Sequence, residues 1–174
     1  MTNTEKVWKY LNNTQIFYVT AVDGDQPKGR PFSFEMTVND RIYSGVGTFK
    51  DCLCQPGKNP KIEIVAGDGK GFIRYYGKAV FDNNPDLFQK ACAKADYPPK
   101  MYNKKTGHKL QMFYIVEATA DIRSLVGIQE SLKMQLCPQF ENSQKEPGSA
   151  LFFKAKSVLF FLPGKTEIES PLAV

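Results

Sequence analysis

The chain has 174 residues, enough for one domain with a single buried core and no need of metal or disulfide staples. It is 42% hydrophobic and 24% charged, as soluble globular proteins are, and it holds no run of about 18 apolar residues that would span a membrane. The formal charge of +5 comes from scattered cations, neither a basic stripe nor a recognisable module, so nucleic acid is not an expected partner.

Residues 1–9 are polar and lack the apolar core of a signal peptide, so a cytoplasmic location is expected. Residues 4–12 are predicted to form a short helix capped by Thr4, with Val7, Trp8 and Leu11 on one face and Asn12-Asn13 at its end. Residues 16–22 are β-branched, aromatic and apolar on both faces, which predicts a buried strand ending in the turn Asp23-Gly24-Asp25. Residues 28–38 alternate, with Phe32, Phe34, Met36 and Val38 on one side and Pro31, Ser33, Glu35 and Thr37 on the other. Asn39-Asp40 then marks a tight hairpin into a strand over 41–45. The polar run 47–58 has room for one helical stretch before Pro56-Gly57, and a strand over 61–66 leads to the turn Gly67-Asp68-Gly69.

Residues 72–81 form a strand with Ile73, Tyr75, Ala79 and Phe81 toward a core. Its other face mixes Phe72 and Tyr76 with Arg74 and Lys78. Two aromatics suit a face that meets a ligand or a second subunit, although a solvated face with snorkelling stems has the same composition. Residues 85–94 read as a helix with Pro85 in its first turn, 96–109 as a loop, and 110–122 as a long strand with its even positions in the core. The whole suggests a mainly β protein, an antiparallel barrel with peripheral helices. Residues 1–126 form the body of this domain, and 127–174 are an addition to it with one more strand over 150–162.

Cys52 and Cys54 have neither redox nor zinc spacing, and with Cys92 and Cys137 they read as free thiols. The single histidine, His108, leaves little material for a metal site or a triad. Chemistry is concentrated instead in three short segments: Arg30-Pro31-Phe32-Ser33-Phe34, the run from Tyr43 to Lys50, and Phe72-Ile73-Arg74. The second offers the Ser44 and Thr48 hydroxyls, two glycines and the Lys50 ammonium, the donors a phosphate needs. A helix starting near Thr48 would add free N–H groups, though such a run also makes an ordinary turn.

The succession F-Y-V-T-A-V-D-G-D-Q-P, R-P-F, I-Y-S-G-V-G-T-F-K, N-P-K-I-E-I and F-I-R-Y-Y-G-K-A-V-F resembles the FMN-binding split β-barrel family of pyridoxamine 5′-phosphate oxidase. Met101-Tyr102 and F-Y-I-V-E-A-T-A-D-I are similar to small bacterial oxidase-like and nitroimidazole-reductase-like members, and the resemblance extends over residues 7–124. It implies a Greek-key-like split barrel, FMN as cofactor, and a homodimer with two sites at its interface. Arg30, Pro31, Phe32 and Ser33 would then line the flavin. Tyr43, Ser44, Thr48, Phe49 and Lys50 would form the phosphate side, with Ser44 as its hydroxyl and Lys50 as its cation. Gln55 matches a polar residue that follows in many members, and Phe72 and Arg74 would approach from the other subunit.

Two departures matter. Phe49 stands where many members carry a second basic residue, and the tail lacks their Trp- and Arg-containing substrate segment, so vitamin B6 oxidation is not expected. The resulting expectation is an FMN-dependent oxidoreductase in which the flavin carries the electrons and no protein nucleophile or metal is required, acting on a small molecule with NAD(P)H as a candidate reductant. Arg30 and Arg74 are candidates for a cation near the flavin's pyrimidine end. The alternative is a flavin- or haem-binding protein that stores, senses or carries its ligand, with His108 as the sole histidine ligand for haem.

Overall fold

The computed structural model describes residues 1–50 and 59–134. The cap of helix α1 (Asn3–Asn13) lies two residues earlier than the sequence suggests, at Thr2 and not at Thr4. The Thr2 hydroxyl accepts from the Glu5 amide while the Glu5 carboxylate accepts from the Thr2 amide, a reciprocal capping box. Thr4 is buried and donates its hydroxyl to the Asp40 carbonyl at 3.2 Å, which ties the helix to the sheet.

The strands are β1 (Phe17–Asp23), β2 (Gln26–Phe32), β3 (Glu35–Val38), β4 (Arg41–Gly47), β5 (Lys61–Gly67), β6 (Phe72–Asp82), β7 (Leu110–Arg123) and β8 (Ile128–Lys133). They make one sheet of order β2-β1-β5-β6-β7-β4-β3, with β8 beside the far half of β7, and every pairing is antiparallel. The two strands at the ends of this path, β2 and β3, are consecutive in the chain and only Ser33 and Phe34 separate them. The sheet must therefore curl until its edges stand close, yet those edges do not pair among the described residues: a split barrel.

Helix α2 (Pro85–Lys94) is capped by Asn84, whose side chain accepts from the Asp86 amide, and the short helix α3 (Tyr97–Met101) follows it. Val7, Leu11, Phe17, Ile64, Ile73 and Ala120 belong to the main core, closed at one side by α1. A second cluster of Phe34, Met36, Tyr43, Met112 and Tyr114 takes Leu87 and Ala91 of α2.

Several expectations need correction. The alternation over 28–38 runs through a break at Ser33-Phe34, so it spans two strands at opposite edges. β1 is buried on one face only, since Tyr18 stays 54% exposed as the neighbouring odd positions are buried. Part of 96–109 is helical, because Tyr97-Pro98-Pro99 sets up a turn that Tyr102 closes through its amide to the Pro98 carbonyl at 2.8 Å. In β7 the even positions are core as expected, but in two different clusters. Met112 and Tyr114 join the second cluster while Phe113 and Ile115 enter the main core, and past residue 117 it is Ala118 and Ala120 that face the main core. The cause is a bulge at Glu117, with φ 49°, where two residues of β7 oppose one of β6. Gly77 faces this bulge, and a Cβ there would meet the Val116 carbonyl oxygen at 2.5 Å. Strand β8 falls in a stretch that shows no period, because only Leu132 of its residues is buried. The strand expected over 150–162 lies outside the described residues.

The Asn39-Asp40 hairpin is as expected, with φ of 50° and 57° at the two turn residues, the left-handed pair that a type I′ turn requires.

Candidate functional site

The break between β2 and β3 opens a cleft. Pro31, Phe32, Ser33 and Phe34 form one wall, Gly45 and Lys50 a second, and Tyr97, Met101 and Tyr102 of the α3 region a third. Its volume is about 340 Å³, within the range of small-molecule sites, roughly 300–1,000 Å³. The first and second chemistry-bearing segments thus meet in one place, and the cleft combines an aromatic lining with one cation and an exposed serine hydroxyl.

Local structure explains the arrangement. Gly47–Lys50 is a turn closed by the Lys50 amide on the Gly47 carbonyl at 3.0 Å, and the Thr48 amide donates to the Lys109 carbonyl at 2.9 Å. Both amides are committed, so they are not the free helix-terminal donors that the sequence suggested near Thr48. Thr48, Phe49 and Lys50 are exposed at the rim, and Phe49 packs its ring against His108 with centroids 4.3 Å apart. Tyr43 and Ser44 are buried in β4 behind the wall. The Tyr43 hydroxyl donates to Asp82 at 2.9 Å, and burial followed by this bond pushes its pKa up to about 12. Arg30 is half-buried on β2, where it borders a small void of about 20 Å³ between Val19, Phe81 and Phe113. Phe32 borders both this void and the cleft.

The third segment lies elsewhere on the same chain. Arg74 borders a separate groove of about 490 Å³ with Glu63, Tyr76, Lys78, Glu117 and Asp121. Its guanidinium grips both carboxylate oxygens of Glu63, and Lys78 is paired with Glu117 at 2.7 Å. Phe72 is half-buried beneath Arg123, whose guanidinium carbon is 6.0 Å from the ring centroid. Gln55 lies outside the described residues.

Tyr97 and Tyr102 are the residues that composition did not single out for the site. Burial, then the neighbouring Tyr102 and Glu35, push the Tyr97 phenol up to about 12, and burial raises Tyr102 as well. Both phenols therefore stay protonated near neutral pH and serve as hydrogen-bond donors, not as bases.

Glu35, 6% exposed, sits behind Phe34 and receives the Lys94 ammonium at 3.0 Å. This pair explains why a glutamate expected on the polar side of an alternating strand is buried. Lys94→Ala is expected to leave an uncompensated carboxylate and lower stability by about 1–3 kcal/mol in urea denaturation. Loss of under about 0.5 kcal/mol, the level of a plain surface change, would show that the pair is solvated.

No family model matches the chain, and no curated protein matches it. Solved structures do. A NimC/NimA family protein of Clostridium acetobutylicum aligns with TM-score 0.68 and 23% identity, over 76% of this chain and 94% of that one. A protein related to general stress protein 26, of the pyridoxinephosphate oxidase family and from the same organism, aligns with TM-score 0.57 and 11% identity over 75% and 94%. This chain has their fold. A heme binding protein of Mycobacterium smegmatis shares it too, with TM-score 0.56 and 12% identity over 76% of this chain and 58% of that one. The sequence resemblance and the architecture thus agree on a split β-barrel fold. No helix among the described residues is long and apolar enough to cross a membrane.

Proposed function

We propose that this protein binds FMN in the cleft between β2, β4 and α3 and works as an FMN-dependent oxidoreductase. The observation that carries the reading is the meeting of Pro31, Phe32 and Ser33 with Lys50 around one cleft of suitable size. The residues present fit the group: an aromatic and proline wall for a planar ring, and an exposed ammonium that is not ion-paired among the described residues. Bound FMN would take up hydride from a reductant such as NAD(P)H and pass the electrons to a small substrate.

The chain's own residues would do four things. Lys50 would hold the phosphate by a charge-assisted bond from the rim. Phe32 would pack on the ring and exclude water from one side. Ser33 would offer a hydroxyl at the cleft wall, and the protonated Tyr97 and Tyr102 would donate to oxygens of the cofactor or substrate. No acid–base pair is needed for this division of labour. The protein is expected to purify yellow or to take up one FMN per chain in calorimetry. A colourless protein that binds no added FMN would reject the reading.

The third segment enters through assembly. Phe72 and Arg74 do not line the cleft of their own chain, and the proposal brings them to it from a second copy in a homodimer. The charges around Arg74 are of both signs, Arg74 and Lys78 against Glu63, Glu117 and Asp121, which suits a self-complementary two-fold contact. Light scattering at micromolar concentration is expected to give twice the chain mass, and a monomer with FMN bound would exclude this arrangement. Haem binding without turnover is the second reading, prompted by the fold of the mycobacterial protein. It has less support, since His108 stacks on Phe49 at the rim and is not among the residues that line the cleft.

A further inference from the structure

The segment that follows α3 is an exception to the scatter of cations along the chain. Lys100, Lys104, Lys105, His108 and Lys109 fall within ten residues, all exposed, and no carboxylate occurs between Asp96 and Glu117. Among the described residues none of these four lysines is ion-paired, whereas Lys28, Arg74, Lys78 and Lys94 elsewhere each have a carboxylate partner. Four like charges this close repel one another, so a fold that keeps them together must hold them by other means.

It does so through Asn103. Its side-chain amide donates to the carbonyls of Pro99 at 3.0 Å and Lys100 at 2.9 Å, while its side-chain oxygen accepts from the amides of Lys105 at 2.9 Å and Thr106 at 3.0 Å. The Thr106 hydroxyl donates to the Met101 carbonyl at 2.8 Å, and Gly107, with φ 69°, completes the turn through its amide to the Asn103 carbonyl. The lysines therefore project from a backbone fixed before any ligand arrives, which lowers the ordering cost of binding. This loop is docked on the cleft rim by the Thr48–Lys109 hydrogen bond and by the Phe49–His108 contact, and α3 immediately before it lines the cleft.

One phosphate is served by Lys50, so four further cations exceed what FMN alone requires. We propose that the 100–109 loop binds the phosphates of a 2′-phosphorylated nicotinamide dinucleotide, so that the reductant of this site is NADPH and not NADH. The inference rests on the flavin reading for the identity of the site, and on the lysine loop for the choice of reductant. NADPH brings a diphosphate and a 2′-phosphate, a compact polyanion whose other end is a planar ring able to enter the aromatic cleft. Lysines act as point charges toward such phosphates. A nucleic acid would want charge extended along a stripe, whereas this patch is confined to one loop.

The test measures binding of adenosine 2′,5′-bisphosphate and of AMP by calorimetry, at low salt, to protein with and without FMN. The bisphosphate is expected to bind about tenfold or more tightly than AMP, the effect of one additional charge-assisted contact. The double variant Lys104→Glu/Lys105→Glu should erase that preference and leave FMN affinity unchanged, because the Lys105 amide bond to Asn103 does not depend on its side chain. In turnover of the FMN-loaded protein, the KM for NADPH should rise in the variant by a larger factor than that for NADH, which shares the diphosphate and lacks the 2′-phosphate. Equal affinity for the two nucleotides, or a preference that survives the charge reversal, overturns the proposal. So does tighter, lysine-dependent binding of a single-stranded oligonucleotide, which would make the loop a nucleic-acid surface. If the protein takes up no FMN, the flavin reading falls, and bisphosphate selectivity in its absence still decides the role of the loop.

Discussion

Ile73→Ala is expected to lower stability by about 3–4 kcal/mol, the loss of a fully buried branched side chain together with the cavity it leaves. Ile73 is 0% exposed in β6, with β5 hydrogen-bonded on one side and β7 on the other. Truncation removes the burial of three carbons and leaves a void that two flanking ladders prevent from collapsing. For a domain of this size the melting temperature should fall by about 10 °C. Thr37→Ala on the exposed side of β3 is the matched control, expected to shift stability by under about 0.5 kcal/mol. Urea and thermal denaturation decide it. A loss of under about 1 kcal/mol at Ile73 would mean that the side chain is not packed between sheet and core.

How far the sequence carried depended on whether local signals were enough. Asn39-Asp40 and Pro85 were legible because a positive-φ pair and a helix-starting proline act within a few residues. The alternation of β6 was legible because both its faces have distinct chemistry. What escaped was set by distant partners. The break at Ser33-Phe34 leaves the alternation intact in the sequence, yet it sends β2 and β3 to opposite ends of the sheet. The bulge at Glu117 changes which parity of β7 faces the main core, and a glutamate in a strand gives no warning of a positive φ. Strand β8 buries one residue, so it has no period to detect.

The same division applies to the cleft. Pro31, Phe32, Ser33 and Lys50 were named from segment chemistry and order, and they do come together. Tyr97 was missed because α3 is five residues long and reaches the cleft by packing, with the Tyr97 ring edge-on to Phe34 at 6.1 Å. Arg74 was named from an aromatic-cationic strand face, and that face exists, but on a groove of its own.

Lys50→Ala is expected to raise the dissociation constant for FMN by about 10- to 150-fold, the equivalent of about 1.5–3 kcal/mol for a charge-assisted bond. The geometry of the turn concentrates the effect on this side chain. The amides of Thr48 and Lys50 are already bonded to the carbonyls of Lys109 and Gly47, so they are not free to compensate. Phe49 has no charge to share and is turned onto His108. Folding should be nearly unaffected, by under about 0.5 kcal/mol, because the Lys50 side chain is exposed and its amide bond survives the substitution. Riboflavin, which lacks the phosphate, separates the two roles open to the lysine: its weaker affinity should be indifferent to the change. Equal losses for FMN and riboflavin would assign Lys50 to the ring and not to the phosphate. An FMN affinity unchanged by the substitution would remove the cation from the site altogether, and with it the placement of the cofactor between β2, β4 and α3.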